Sequence, residues 1–261
     1  MHDSNIEEYI RKTVSEKGFF HFTLVDPEKT DASLSKSIKE IDQSGTDGFL
    51  VGGSTGFYPP EVEKVISSIK QISNKPVILF PGGVFGVARN ADAILFLSLL
   101  NSLSTYFLIG AQAQAAGLIK RIGLEVIPVG YIVFGKSSMV SVMGMTQEIE
   151  PANYKAATAY ALAASLMGMH AIYLEGGSGV PAPIPPGTVS HVKNALPRGV
   201  LLIVGGGIRR GEDAKTVVYS GADVVVTGSV VEERGASSLK EIIEGCKEGA
   251  KLKAARNNES G

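Results

Sequence analysis

Two carboxylates and four glycine-rich turns are the residues whose types and spacing could do chemistry in this chain. Asp26 follows an apolar run in Thr23-Leu24-Val25-Asp26-Pro27-Glu28-Lys29. A carboxylate there serves catalysis, a hard cation such as Mg2+, or a helix cap, and Pro27 with the charges behind it weakens the cap. Glu175 closes a second run, Tyr173-Leu174-Glu175-Gly176-Gly177-Ser178-Gly179. Like charges repel, so a carboxylate among glycines does not bind a phosphate. It accepts a hydrogen bond from a substrate hydroxyl, or its proton. Tyr173 is either barrel core or a hydroxyl donor.

The remaining turns read as anion cradles, because glycine lets backbone N–H groups approach a ligand with no Cβ in the way. Gly205, Gly206 and Gly207 precede Ile208-Arg209-Arg210, and Gly228 with Ser229 follows Thr227 about 20 residues on. Together they suit one phosphate held by N–H groups and a helix N-terminus. Arg209 and Arg210 either support that phosphate or are solvated surface. Gly52-Gly53-Ser54-Thr55-Gly56 is a weaker signal: Ser54 and Thr55 either shape a simple turn, bind phosphate, or lend oxygen to a cation on Asp26.

Such turns need a scaffold that brings strand ends together. Eight apolar runs are strand-like: 19–25, 48–51, 76–80, 93–98, 125–133, 171–174, 200–204 and 223–227. Most are continuous rather than alternating, as in parallel strands covered on both faces. Helical periodicity marks 33–44, 60–72, 153–167, 212–220 and 239–252 between or after them. The alternation admits an open doubly wound sheet or a closed (β/α)8 TIM barrel. An open sheet places its phosphate turn mainly after the first strand. Here the glycine turns follow runs two, six, seven and eight, which favours the barrel. Residues 1–261 therefore read as one domain, with an extra N-terminal helix within 1–18 capping the barrel bottom and a disordered tail at 253–261. The proline-rich stretch 180–187 reads as a stiff loop beside the site.

Composition narrows the function classes. Basic and acidic residues number 25 and 26, with no Lys/Arg stripe, which argues against a nucleic-acid binder. A single cysteine, Cys246, forms no intramolecular disulfide and no thiolate cage, and reads as a packing residue. No apolar run approaches a membrane span, and the polar N-terminus shows no signal core, so a cytoplasmic location is expected. The histidines lack metal-site spacing.

In combination and order, the motifs LVDPEK, SGTDGFLVGGSTG, FLSLLNS, YLEGGSG, IVGGGIRRGEDA and VVVTGS resemble the geranylgeranylglyceryl phosphate synthase family over nearly the whole chain. The bacterial relatives of that family are heptaprenylglyceryl phosphate synthases. The resemblance implies a modified TIM barrel that joins a prenyl diphosphate to sn-glycerol-1-phosphate and releases pyrophosphate. That is the first step of ether-linked membrane lipid synthesis. It implies Mg2+ on Asp26 and Ser54. It implies acceptor binding by Tyr173, Leu174, Glu175, Gly176, Gly177, Ser178, Gly179, Gly205, Gly206, Gly207, Gly228 and Ser229, with Glu175 catalytic near the attacking hydroxyl. The YLEGGSG form and Leu24 resemble the larger, often hexameric group, so a homo-oligomer (dimer or hexamer) is expected, with peripheral membrane contact for product release. Two departures stand out: YIVFGK at 131–136 replaces YIVEPG, and Gly176 replaces an alanine. Phe96, Leu99, Leu103, Phe107, Ile132 and Phe134 are candidates for the prenyl groove. A phosphosugar isomerase-like barrel is the alternative enzyme, and a non-catalytic phosphate-ligand sensor the alternative of another class.

Overall fold

The computed structural model describes residues 5–29, 34–53 and 59–259 of the chain. Eight parallel strands close into a barrel in chain order: β1 (Phe20–Val25), β2 (Gly48–Gly52), β3 (Val77–Phe80), β4 (Ala93–Leu99), β5 (Glu125–Val133), β6 (Ala171–Glu175), β7 (Leu201–Gly205) and β8 (Val224–Thr227). β8 pairs back onto β1, with Phe20 opposite Val224 and Thr23 opposite Thr227. The (β/α)8 expectation therefore holds.

The unbroken apolar runs arise because each strand is buried on both faces. Alternate residues then fall into two separate cores. In β6, Ala171 and Tyr173 join the inner core, whereas Ile172 and Leu174 join the layer between strands and helices. The helix Pro59–Ile72 shows the complementary logic. Val62, Val65, Ile66 and Ile69 are buried on one stripe at spacings of three and four.

Two of the longer helices escape the sequence pattern. Ala111–Ile122 is Ala/Gln-rich, and Gln112, Ala115 and Ile119 are what it buries. Pro186–Ala195 starts inside the proline-rich stretch, with proline in its first turn, where the missing N–H costs nothing. Between β3 and β4 the crossover is reduced to a single 3-10 turn, Val84–Gly86. This gap leaves room beside β4.

The helix Ile6–Lys17 lies against the amino ends of the strands. Ile6 and Ile10 enter the inner core, and the N–H groups of Ile6 and Glu7 donate to the Glu125 carboxylate at 2.7 and 2.8 Å. At the other terminus the last helix runs Ser237–Glu259. The expectation of a disordered tail over 253–261 is corrected for 253–259. Lys253 pairs with buried Asp223 at 3.5 Å and Arg256 stacks over Tyr219, so polar side chains rather than an apolar stripe hold that turn. Cys246 is fully buried, and burial pushes its thiol up, consistent with packing.

Candidate active site

Asp26 and the described turns after β6, β7 and β8 lie at the carboxyl mouth of the barrel, where a cavity of about 350 Å3 opens. Its wall includes Asp26, Glu28, Tyr131, Tyr173, Glu175, Ser178, Gly206, Gly207, Arg209, Gly228 and Ser229.

Tyr173 and Glu175 occupy alternate positions of β6, so both side chains turn inward. Glu175 is 7% exposed, and its Oε1 accepts the Gly177 N–H at 2.6 Å. Its carboxyl sits above the ordinary value because burial disfavours the anion. The Gly177 N–H and the hydroxyls of Tyr173 and Tyr131 oppose that rise by donating to it. Leu174 faces the outer core and has no side-chain access to the mouth.

The glycines wrap the carboxylate. The Gly176 N–H donates to the Gly205 carbonyl at 2.9 Å, tying the β6 turn to the β7 turn. Gly206 has φ +83°, and a Cβ there would meet Gly177 N at 2.6 Å and Glu175 Oε1 at 2.7 Å. No other residue type fits that contact. Gly179 borders the same cavity, and Ser178 Oγ lies 2.7 Å from Ser229 Oγ, joining the β6 and β8 turns. Gly228 precedes the short helix Ser229–Arg234 without a side-chain cap. Residues of the β6, β7 and β8 turns thus line one volume.

Arg209 reaches the cavity wall while pairing with Glu233, whereas Arg210 pairs with Asp213 outside the cavity. Asp26 lies just after β1, across the mouth from Glu175's side of the barrel, and its Oδ1 accepts the Glu28 N–H at 3.1 Å. Asp26 and Glu28 both face the cavity and are hard oxygen donors suited to a hard cation. Ser54, Thr55 and Gly56 lie outside the described residues, while Gly53 of the same turn borders the cavity. His21 is a buried bridge between Thr46 and Thr227, 3.0 Å from each.

A second, apolar cavity of about 100 Å3 lies beside β4, beneath the helix Ala111–Ile122 and the single-turn crossover. Phe96, Leu99 and Phe107 line it, as the sequence reading expects. Leu103, Ile132 and Phe134 do not: Leu103 is exposed, and the other two pack outward against helices. Tyr131, Leu97, Pro81, Gly82 and Val140 border both cavities, so the polar mouth continues into the apolar channel.

Tyr131 is the site residue that sequence reasoning misses. It sits at the start of the divergent 131–136 stretch and reads there as strand core. Its clue is parity: it pairs with Tyr173 across the β5–β6 ladder, so the two face inward together. Phe80, Tyr131 and Tyr173 form an aromatic floor, with ring centroids 5.1 to 5.8 Å apart.

Comparison with known proteins follows the same geometry. Residues 11–246 match the model of the PcrB family. A protein from Thermofilum pendens named geranylgeranylglyceryl phosphate synthase is 44% identical over 250 residues, covering 94% of this chain and 96% of its own. One of the same name from Pyrococcus horikoshii is 44% identical over 237 residues, covering 90% and 91%. The crystal structure of (S)-3-O-geranylgeranylglyceryl phosphate synthase from Thermoplasma acidophilum, in complex with its substrate sn-glycerol-1-phosphate, superposes with a TM-score of 0.89. It is 35% identical, with 94% of this chain and 99% of that chain covered.

Proposed function

This chain belongs to the PcrB family, and from that premise we propose that it transfers a geranylgeranyl group from its diphosphate to sn-glycerol-1-phosphate. The observation that carries the reading is the junction of two unlike spaces. A mouth ringed by the glycine turns and the buried Glu175 carboxylate shares Tyr131, Leu97, Pro81, Gly82 and Val140 with an apolar channel. Such a pair suits an enzyme whose one substrate is a small phosphate and whose other is a lipid.

The turns after β6, β7 and β8 hold the acceptor phosphate through backbone N–H groups and the Ser178 and Ser229 hydroxyls. This directs the free terminal hydroxyl of the acceptor to Glu175. The donor tail occupies the channel lined by Phe96, Leu99 and Phe107, which leaves its reacting carbon at the Tyr131 junction. The allylic C–O bond breaks and pyrophosphate leaves with the electron pair. The acceptor oxygen bonds to that carbon, and its proton passes to Glu175. Holding both reactants in line converts a bimolecular step into an effectively unimolecular one.

Asp26, with Glu28 beside it, would hold Mg2+, and Ser54 joins this assignment from the sequence. When bound with the diphosphate, Mg2+ supplies neutralisation of the leaving group's charge. Among the described residues no helix is long and apolar enough to cross a membrane. The reading places the enzyme in the cytoplasm as a homo-oligomer with peripheral membrane contact. Exposed Met145, Leu166 and Met167 supply apolar surface of the kind a partner copy or a lipid surface covers.

The decisive experiment incubates the protein with labelled sn-glycerol-1-phosphate, a prenyl diphosphate of C15 to C35 and Mg2+, then extracts into butanol. A lipid-soluble labelled product is expected, most with the C20 donor; none with any donor rejects the proposal. Asp26→Ala is expected to keep the fold and lose turnover, and a fully active variant rejects the metal assignment.

A further inference from the structure

Arg209 is the one cationic side chain among the described residues that line the mouth. The same wall carries four carboxylates: Asp26 and Glu28 after β1, Glu175 at the end of β6, and Glu232 in the short helix after β8. So acidic a wall repels a phosphate unless a positive charge joins the backbone N–H groups. The chain places that charge just after the Gly205–Gly207 turn, and its neighbour Arg210 pairs with Asp213 outside the cavity.

The Arg209 guanidinium donates to Glu233, which lies on the helix Ser229–Arg234 and is not part of the cavity wall. The two side chains are 32% and 44% exposed, so water screens the pair and it binds weakly. A phosphate in the cradle offers the same planar donor fork two oxygens and close to two charges. The main chain of Arg209 is held separately. Its N–H donates to Asp213 Oδ2 at 3.1 Å, and its carbonyl accepts from Arg234 Nη1 at 2.7 Å. The guanidinium is therefore free to change partner while its backbone stays in place. We propose that Arg209 is a substrate-binding residue: Glu233 holds its guanidinium in the empty site, and the guanidinium moves to the acceptor phosphate when that anion enters the β6, β7 and β8 turns.

This inference rests on the reading of those turns as the acceptor site, and the test separates the two. A purely structural clasp between the β7 and β8 loops predicts that either half of the pair, once lost, weakens binding. Exchange of partners predicts opposite signs. Calorimetric titration with sn-glycerol-1-phosphate, inorganic phosphate and pyrophosphate reads this directly, beside the KM of each substrate. Arg209→Gln is expected to weaken acceptor binding by roughly ten- to a hundredfold, the worth of a hydrogen bond between charged groups. Arg209→Lys should recover part of that loss, since it keeps the charge without the fork. Arg210→Gln should leave binding unchanged. Glu233→Gln frees the guanidinium and should tighten acceptor binding, by up to about fivefold. Weaker acceptor binding in Glu233→Gln, or an unchanged Kd in Arg209→Gln, overturns the inference. So does a loss confined to pyrophosphate and the donor KM, which would put the guanidinium on the leaving group. If the wild type binds inorganic phosphate but not sn-glycerol-1-phosphate, the acceptor reading fails, and the phosphate Kd of the same variants still judges Arg209. Binding of neither overturns both.

Discussion

Ser178 and Ser229 lie 51 residues apart in the chain, yet their hydroxyl oxygens are 2.7 Å apart at the barrel mouth. The contact joins the turn after β6 to the turn after β8, and the β7 turn is bound to the first of these through Gly176 and Gly205. Three loops thus form one cradle.

Gly206→Ala separates cradle geometry from backbone strain. Its Cβ would press on Glu175 Oε1 and Gly177 N, whereas Gly199, with a similar φ of +91°, has nothing within 4 Å. Both alanines carry the left-handed penalty of about 1–2 kcal/mol. Calorimetry should show comparable or larger destabilisation for Gly206→Ala. Only that variant should also lose acceptor affinity, by about tenfold or more. Equal kinetics for the two would remove Gly206 from the site.

Glu175→Gln should cost turnover by at least about 100-fold, the usual contribution of a positioned proton acceptor. Stability should move the other way. The folded carboxyl titrates above its ordinary value of 4.5, so the native state binds more protons and stability falls as pH rises through that window. A neutral amide escapes this, so its melting temperature at pH 8 should equal or exceed the wild type. A clear drop would mean the carboxylate stabilises the fold.

Ala115→Phe should narrow the apolar channel without touching the mouth. Ala115 is 5% exposed and lines the channel from the helix Ala111–Ile122. Overpacking there costs about 1–3 kcal/mol of stability. The donor KM should rise most for the longest chains while the acceptor KM stays constant. A uniform effect on both substrates would place the donor tail elsewhere.

Acid should destabilise the barrel through His21. Burial first, and the Lys17 charge second, hold its imidazole down to about 3 against an ordinary 6.5. A depressed histidine contributes stability that is intact above 6.5 and is lost as pH falls toward 3. Between pH 7 and 5 the loss is on the order of 2 kcal/mol. Denaturant titration of His21→Gln should show a lower starting stability and a correspondingly shallower decline over that range. An unchanged decline would assign the acid sensitivity to other groups.

Much of this was legible in the chain itself. Continuous apolar runs marked the eight strands, because a strand covered on both faces has no polar side to alternate with. Glycines marked the turns, because the cradle needs backbone without Cβ atoms. Asp26 and Glu175 stood out as carboxylates ending apolar runs. What the tertiary structure alone decided was direction and adjacency. In a strand buried on both faces, composition does not tell inward from outward. Leu99 therefore proved to face the inner core and line the channel, while Ile132 and Phe134, equally apolar, pack against helices. Barrel closure sets that parity, and it also sets Tyr131 beside Tyr173, within reach of Glu175. Likewise, the near-absence of a crossover helix after β3 becomes a channel only once the helix Ala111–Ile122 packs alongside. Local sequence records burial and backbone freedom; which groups meet across the barrel depends on strand register, which the closed sheet determines.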